Sequence, residues 1–493
     1  MCRELNVISV ACKEQIQASK RSLTANMAPA SRMTWWGRMP AIVIASLVLV
    51  TGALAFAADT QPDDQSGLQP IVNTGGTELK FDWPMLRIGT AEYQEGPTGV
   101  TVFSFARPVL AAYDVRGEPG TANTEWLRLG KDRATVNAVV LSGGSFYGLE
   151  STTAVASAMK DDHVRSGVIG DVAHTTGAII YDLGDRRLNE VYPDKRLAQA
   201  AYRAAQEGVF RVGSAGAGRM AKTGGIFGLN AHSGQGGAYY EKGNLKVAAF
   251  TVNNALGAVT DRKGQIAAGY RDPAWPKNID STTLLGLLRD KWVQGPAQTK
   301  PSGNTTISLV VVNQKLNFGD LQRLAIQVHT SMSRGLQPYA TEYDGDVLFA
   351  VSTGEVDLPA DSKERQANIT LLPIIASELM WDAILSSVPE QPQQPQPVAV
   401  TTPLPEKYAG KYRFSRFVTV EITSRDGKLF AQATGERDAY AISREKAVEL
   451  VPVSDSLDKF TIASASRYPL VLDFSSGTLV INPGNWAQVS TKQ

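Results

Sequence analysis

The chain of 493 residues has only two cysteines, Cys2 and Cys12, and both lie in its first 58 residues. Once that segment is removed no thiol remains, which excludes a cysteine nucleophile, thiolate metal sites and disulfides. Histidine is almost as scarce. His163, His174, His232 and His329 show neither HExxH nor any paired ligand spacing, so neither a metal nor another cofactor is expected. His329 borders a helical apolar stripe and reads as structural. Charge of one sign is also lacking: the net charge is +1, and six Lys/Arg against two Glu fall in the first 58 residues, leaving 43 basic against 46 acidic, or −3. A nucleic-acid partner is therefore not indicated. Two familiar signatures are missing as well. The stretch GSAGAGRMAKTGG (Gly213 to Gly225) has Ala221 where a P-loop needs glycine, and LSGGSFYG (Leu141 to Gly148) has Tyr147 where a nucleophile elbow needs its last glycine. The glycine loop reads instead as a flexible turn presenting Lys222 to a pocket. No repeat of fixed period is visible.

What the first 58 residues do contain reads as an export signal. Residues 39–58 carry no charge, AIVIASLVLV (Ala41 to Val50) follows Arg32 and Arg38, and Ala55-Phe56-Ala57 has the small-x-small form of a signal-peptidase site. The expectation is a signal peptide over 1–57 with an extended n-region, cleaved after Ala57, and a periplasmic or secreted protein with no stable membrane partner afterwards. Met27 and Met33 are alternative starts. An uncleaved anchor is the other reading, because about 20 uncharged residues can just span a bilayer.

From Leu68 to about Pro389, β-branched runs alternate with helical stretches, as in an α/β or layered α+β domain. NAVVLSGG (Asn137 to Gly144) predicts a buried strand entering a glycine turn, followed by a helix over Tyr147 to Lys160. KVAAFTVNNALG (Lys246 to Gly257) predicts another strand and turn. Leu321, Leu324, Ala325, Val328 and Met332 recur at helical spacing. VLFAVST (Val347 to Thr353) predicts a strand, and a helix follows from about Pro373 to Leu385 with Pro373 in its first turn. PEQPQQPQPVAVTTPLP (residues 389–405) reads as a stiff, extended linker rather than a packed segment. The rest, 406–489, predicts a small all-β domain with no catalytic constellation.

Chemistry enters at residues 302–312, where a Ser-Gly-Asn turn runs into TTISLVVV, a buried strand whose first side chain is the Thr305 hydroxyl. If the Asn304–Thr305 bond breaks, hydroxyl and α-amine share one residue. A threonine hydroxyl needs a base within reach, and an α-amine titrating near about 7.7 to 8.0 can serve. The plain alternative is a core strand after a Gly-Asn turn. YDGDVLFA (Tyr343 to Ala350) places Asp344 and Asp346 two apart before a strand, so both carboxylates can converge on one locus; an ordinary Asp-Gly turn is the alternative. VNNALG (Val252 to Gly257) ends a strand on Asn253 and Asn254, and an Asn amide is a familiar oxyanion donor.

In this order, LRIGTAEY, GPTGVTV, AAYDVRGEPGT, VVLSGGSFYGLE, VGSAGAGRMAK, VNNALG, NTTISLVVVN and YDGDVLFAVSTG resemble the L-aminopeptidase/D-esterase (DmpA-type) family of self-processing hydrolases, from about Arg87 to Gly354. That family includes β-peptidyl aminopeptidases and nylon-oligomer hydrolases. The resemblance implies an α+β fold, a four-layer αββα sandwich over 68–388, with the small β domain and its linker outside the family pattern. It also implies a precursor cut between Asn304 and Thr305 into about 58–304 and 305–493. By resemblance Thr305 is the nucleophile, Asn254 the oxyanion donor, Tyr147 the substrate-pocket tyrosine, Lys222 the glycine-loop lysine, and Asp344 and Asp346 the pair that steers hydroxyl and amine. An Asp pair is similar to the nylon-oligomer hydrolases, whereas the aminopeptidase branch carries Ser and Glu. The implied function is amide hydrolysis on small peptides or amides, as aminopeptidase or amidase, by a homo-oligomer of processed heterodimers. An acyltransferase on the same fold and a non-catalytic binding protein are the alternatives.

Overall fold

Alternation of apolar side chains along β-branched runs builds the main sheet. The computed structural model describes residues 65–131, 134–268, 279–293, 303–393, 395–399, 406–453, 457–462 and 470–493; the expected leader over 1–57, Ser302 and the linker's last residues, 400–405, lie outside the described residues. In chain order the elements that matter are β1 (Leu86–Tyr93), β2 (Thr98–Gly117), β3 (Thr135–Ser142), α1 (Glu150–Asp161), β4 (Thr175–Ile179), α2 (Lys195–Arg203), β5 (Gln235–Lys242), β6 (Leu245–Asn254), β7 (Thr305–Gln314), α3 (Phe318–Ser331), β8 (Gly345–Val356) and α4 (Ser362–Ser386). The fold is mixed α and β, with a separate all-β region at the C-terminal end.

Strand order is β5-β6-β7-β8-β2-β3-β4, with β1 on β2. β7 with β8 and β3 with β4 are parallel; the other neighbours are antiparallel. β2 serves both halves, pairing with β1 over Thr98–Phe105 and with β8 over Leu110–Gly117. Along β7, Ile307, Leu309 and Val311 join Phe103, Val139 and Phe250 in one inner core, while Val310 and Val312 face α3 and α4. Val100, Val102, Ala138 and Val140 face α1 and α2. Each half of the sheet is therefore covered by its own helix pair on the outer face, and the inner faces share one core, where the Phe103 and Phe250 rings lie 4.9 Å apart.

The stripe expected on α3 is observed: Leu321, Leu324, Ala325 and Val328 are buried, and Met332 follows just beyond. Each buried Leu or Val contributes about 1.5–3 kcal/mol. The helix starts where the Asn317 side chain accepts from the Asp320 amide. Helix α4 corrects an expectation. Pro373 is not in its first turn but inside a 25-residue helix that begins after Asp361, whose carboxylate accepts from the amides of Lys363 and Glu364. A strong cap and good helix formers over 362–372 outweigh the one hydrogen bond that proline removes.

The C-terminal strands form an antiparallel meander from Gly410–Arg413 onward, and its last segment is split so that Gln488–Val489 pairs with one edge and Thr491–Lys492 with the other. The sheet thus closes on itself, and the boundary expected at 489 moves to the end of the chain. Leu188 of the main domain sits in this module's core with Tyr412, Val420, Leu429 and Phe460. The linker is also not free of the body. Gln391 accepts from the His232 amide and donates to the His232 carbonyl, at 2.9 and 2.8 Å, pairing like a strand residue.

Candidate active site

Thr305 is the first residue of β7 and is buried between β6 and β8. Its cross-strand partner in β6 is Asn254. On the other side Asn304 bridges Asp344, just before β8 begins. Three sequence segments, VNNALG, GNTTIS and YDGDV, therefore meet at one point because three neighbouring strands end there in register.

The Thr305 hydroxyl lies against the carbonyl of the residue before it. Thr305 Oγ1 donates to the Asn304 carbonyl oxygen at 2.5 Å, and the Gly345 amide donates to the same oxygen at 2.9 Å. The carbonyl that a Thr305 attack would convert to an oxyanion already receives a backbone donor. A Cβ at Gly345 would lie 2.9 Å from Thr305 Oγ1 and 3.2 Å from the Glu118 carbonyl, so a larger residue would crowd the hydroxyl.

Both aspartates are buried, and each accepts from the segments around Thr305. Asp346 accepts from the Thr306 amide at 2.7 Å and the Ala340 amide at 3.3 Å. Asp344 accepts from the Leu256 amide at 3.1 Å and the Thr341 hydroxyl at 2.7 Å. The expected convergence is present, but the pair holds the strand ends around the nucleophile rather than bonding to its hydroxyl. Burial pushes both carboxyls up, Asp346 well above the usual range, with the charge of Asp344 adding to the effect. Such a pair titrates in two joint steps. A carboxyl raised in the folded state stabilises while neutral, fully below the unfolded pKa near 3.8, and that contribution is lost as pH rises through the folded pKa. The melting temperature of the uncut Thr305→Ala chain should therefore carry a component that falls from acid toward neutral pH. Adding Asp346→Asn should flatten it; equal slopes in the two proteins would contradict the assignment.

Asn254 is fully buried and its amide orientation is unambiguous. Its Oδ1 accepts from Arg186 Nη1 at 2.6 Å and from the Lys222 amide at 3.2 Å, two groups that can only donate. Its Nδ2 donates to the Tyr181 carbonyl at 3.3 Å. Neighbouring Asn253 points the other way, to Ser387 at the end of α4, as strand alternation requires.

Lys222 corrects an expectation. The glycine loop is buried and not a flexible presenter: Lys222 is 3% exposed and its Nζ lies 3.5 Å from Asp185. The glycines serve close packing, as at Gly218, where a Cβ would come within 2.3 Å of the Gln235 amide. The lysine reaches the cluster through its main-chain N–H. Tyr147 is 64% exposed with its ring 5.7 Å from that of Tyr192, and among the described residues it makes no hydrogen bond to Thr305, Asn254, Asp344 or Asp346. His329 is structural, as expected, with Nδ1 at 2.9 Å from Asp114.

Sequence reading missed Arg186 and Gly345. Arg186 sits in a GDRR turn that reads as an exposed charged loop, and nothing in spacing marks it as buried. Gly345 lies between the two aspartates and reads as turn chemistry.

The model of peptidase family S58 matches residues 81–393. A 6-aminohexanoate-oligomer endohydrolase of Paenarthrobacter ureafaciens is 37% identical over 330 residues, covering 66% of this chain and 90% of the relative. An uncharacterized aminopeptidase of Mycobacterium leprae (strain TN) is 32% identical over 308 residues, 59% of this chain and 82% of its own. Among solved structures, a Burkholderia sp. beta-aminopeptidase has a TM-score of 0.45 at 18% identity, covering 64% of this chain and 88% of that one. By the span of the model's match and the near-complete coverage of the oligomer hydrolase, the chain belongs to peptidase family S58.

Proposed function

We propose that the protein is a self-processing threonine hydrolase that cuts itself between Asn304 and Thr305 and then hydrolyses amide bonds in small peptides or short linear amides. One observation carries this reading. The Thr305 hydroxyl is hydrogen-bonded at 2.5 Å to the carbonyl of its own preceding residue, and that carbonyl also accepts from Gly345. The Gly345 bond is a rung of the Asn304–Asp344 bridge, and the Thr305 hydroxyl laid on the same carbonyl is what a plain core strand does not require. The inner-core and outer-helix packing also supports the finer description of the main domain as a four-layer αββα sandwich.

In maturation Oγ1 attacks the Asn304 carbonyl carbon while the Gly345 N–H stabilises the oxyanion. The Oγ1 proton passes to the Thr305 nitrogen as the C–N bond breaks, the acyl group moves from nitrogen to oxygen, and water hydrolyses the ester to an Asn304 carboxylate and a free Thr305 amine. In turnover that amine takes the hydroxyl proton as Oγ1 attacks a substrate amide and returns it to the leaving amine; water then hydrolyses the Thr305 ester, releasing the acyl half as a carboxylate and restoring the hydroxyl. Asn254 Nδ2 is the oxyanion donor, a role worth on the order of 2.7 to 4 kcal/mol in transition-state energy. The buried Asp344 and Asp346 pair provides negative charge for the new ammonium, which in turn draws their raised pKa values back down. We further propose that the leader exports the chain and that processed heterodimers assemble into homo-oligomers.

The substrate class rests on the Asp pair together with the oligomer-hydrolase relatives, so linear 6-aminohexanoate oligomers are the first amides to try. Purified protein should show two fragments on a denaturing gel, the second beginning at Thr305 by N-terminal sequencing, and should release shorter oligomers. A single intact chain with full amidase activity would overturn the scheme.

A further inference from the structure

Among the described residues the all-β region makes no hydrogen bond to Thr305, yet it grips both segments that hold Asn254. One is the turn 184–188. Tyr440 Oη donates to the Arg186 carbonyl at 2.8 Å, Ser415 Oγ donates to the Leu188 carbonyl at 2.7 Å, and Gln488 Oε1 accepts from the Leu188 amide at 2.9 Å. The Leu188 side chain is part of the β module's own core. The other segment is the glycine loop. Trp486 packs on Met220 with Tyr440 alongside and stacks on His232 at 3.7 Å between ring centres, while Arg219 Nε donates to the Asn485 carbonyl at 3.0 Å.

These two segments converge on one guanidinium. Arg186 is 1% exposed, and its Nη1 donates both to the Met220 carbonyl at 3.0 Å and to Asn254 Oδ1 at 2.6 Å. Among the described residues no carboxylate bonds to Arg186, so its charge acts on neutral oxygens. A cation on the amide oxygen does two things. It fixes which end of Asn254 faces away from Arg186, and it draws electron density toward oxygen, which makes the Nδ2 hydrogens stronger donors. Placement matters because an oxyanion donor works only if it is already aimed when charge develops.

We propose that the C-terminal β domain is a positioning part of the active site, its Tyr440 and Trp486 holding Arg186 and Met220 so that Arg186 locks and polarises the Asn254 amide. The inference rests on Asn254 being the oxyanion donor. Arg186 is thus a positioning residue, since it acts through Asn254 and touches no reacting atom.

The test uses full-length, self-processed protein and a linear 6-aminohexanoate oligomer as probe. Arg186→Gln should lower kcat on the order of 100-fold with KM little changed, comparable to Asn254→Ala, because the amide loses its lock. Arg186→Lys should recover part of that loss, since an ammonium keeps the charge while reaching fewer acceptors. Tyr440→Phe, which removes one hydroxyl and no packing volume, should lower kcat about two- to tenfold at unchanged KM. Tyr412→Phe is the matched control. It removes a bond of similar length, to the Tyr408 carbonyl at 2.9 Å, which joins two β-domain residues and does not touch the 184–188 backbone; with the ring and its packing kept, kcat should stay at the parent value. Equal kcat for Tyr440→Phe and Tyr412→Phe, with Arg186→Gln at the parent kcat, would overturn the proposal even while Asn254→Ala shows its loss of about 100-fold. Full activity in Asn254→Ala would instead remove the oxyanion assignment on which it stands.

Discussion

Thr305→Ala is expected to remain one uncut chain and to lose roughly 10⁴- to 10⁶-fold in amide hydrolysis, the scale on which removal of a nucleophile acts. Two functions should vanish at once, because in the proposed scheme the same oxygen attacks the Asn304 carbonyl in maturation and the substrate in turnover. The loss should not be one of folding. Thr305 contributes only its hydroxyl and one methyl to the strand, while the β7 ladder from Ile307 onward is untouched, so a melting temperature near that of the parent is expected apart from the effect of the cut itself. Thr305→Ser keeps the oxygen and should still process. Mass spectrometry of the purified variants reads both results. Processing of Thr305→Ala at the parent rate would exclude Thr305 as the attacking residue.

Gly345→Ala is the second large effect. The added methyl would lie 2.9 Å from Thr305 Oγ1 and 3.2 Å from both the Glu118 carbonyl and Pro119 Cα. Backbone on one side cannot easily yield, so the hydroxyl is the group that moves. Overpacking of this kind costs about 1–3 kcal/mol in stability. The larger effect falls on chemistry: the attacking oxygen loses its 2.5 Å contact with the scissile carbonyl, and even a 1 Å misplacement costs about 100-fold in rate. Self-cleavage followed over time on a denaturing gel should slow by that order or more. Cleavage at the parent rate would show that Oγ1 attacks from a different position.

The elements that alternation and helical spacing can announce are legible in the amino-acid order. The strands at Asn137, Lys246, Thr305 and Val347, and the helix carrying Leu321, Leu324 and Val328, follow from a core that admits one face of each element. Local cues also locate Thr305, Asn254, Asp344 and Asp346 as strand-end polar residues, and the ordered family segments join them. The start of α4 is misplaced by such cues because proline is a loud local signal, whereas the Asp361 cap that outweighs it depends on hydrogen bonds to Lys363 and Glu364. Lys222 misleads for a related reason: glycine-rich sequence looks flexible, and here the glycines allow backbone to pack against backbone.

By itself the sequence determined the strands, the polar residues at their ends and membership of a hydrolase family, because these depend on residue type and near-neighbour spacing. Register, burial and docking were decided only in three dimensions. Strand pairing put Asn254 opposite Thr305 and Gly345 onto the Asn304 carbonyl, turning separate turn motifs into one site. Burial turned Arg186 from a loop charge into a clamp on an amide oxygen, with the β domain holding the clamp. Hydrogen bonds between groups from 68 to 300 residues apart leave no periodicity in the chain, so only the folded arrangement reveals them.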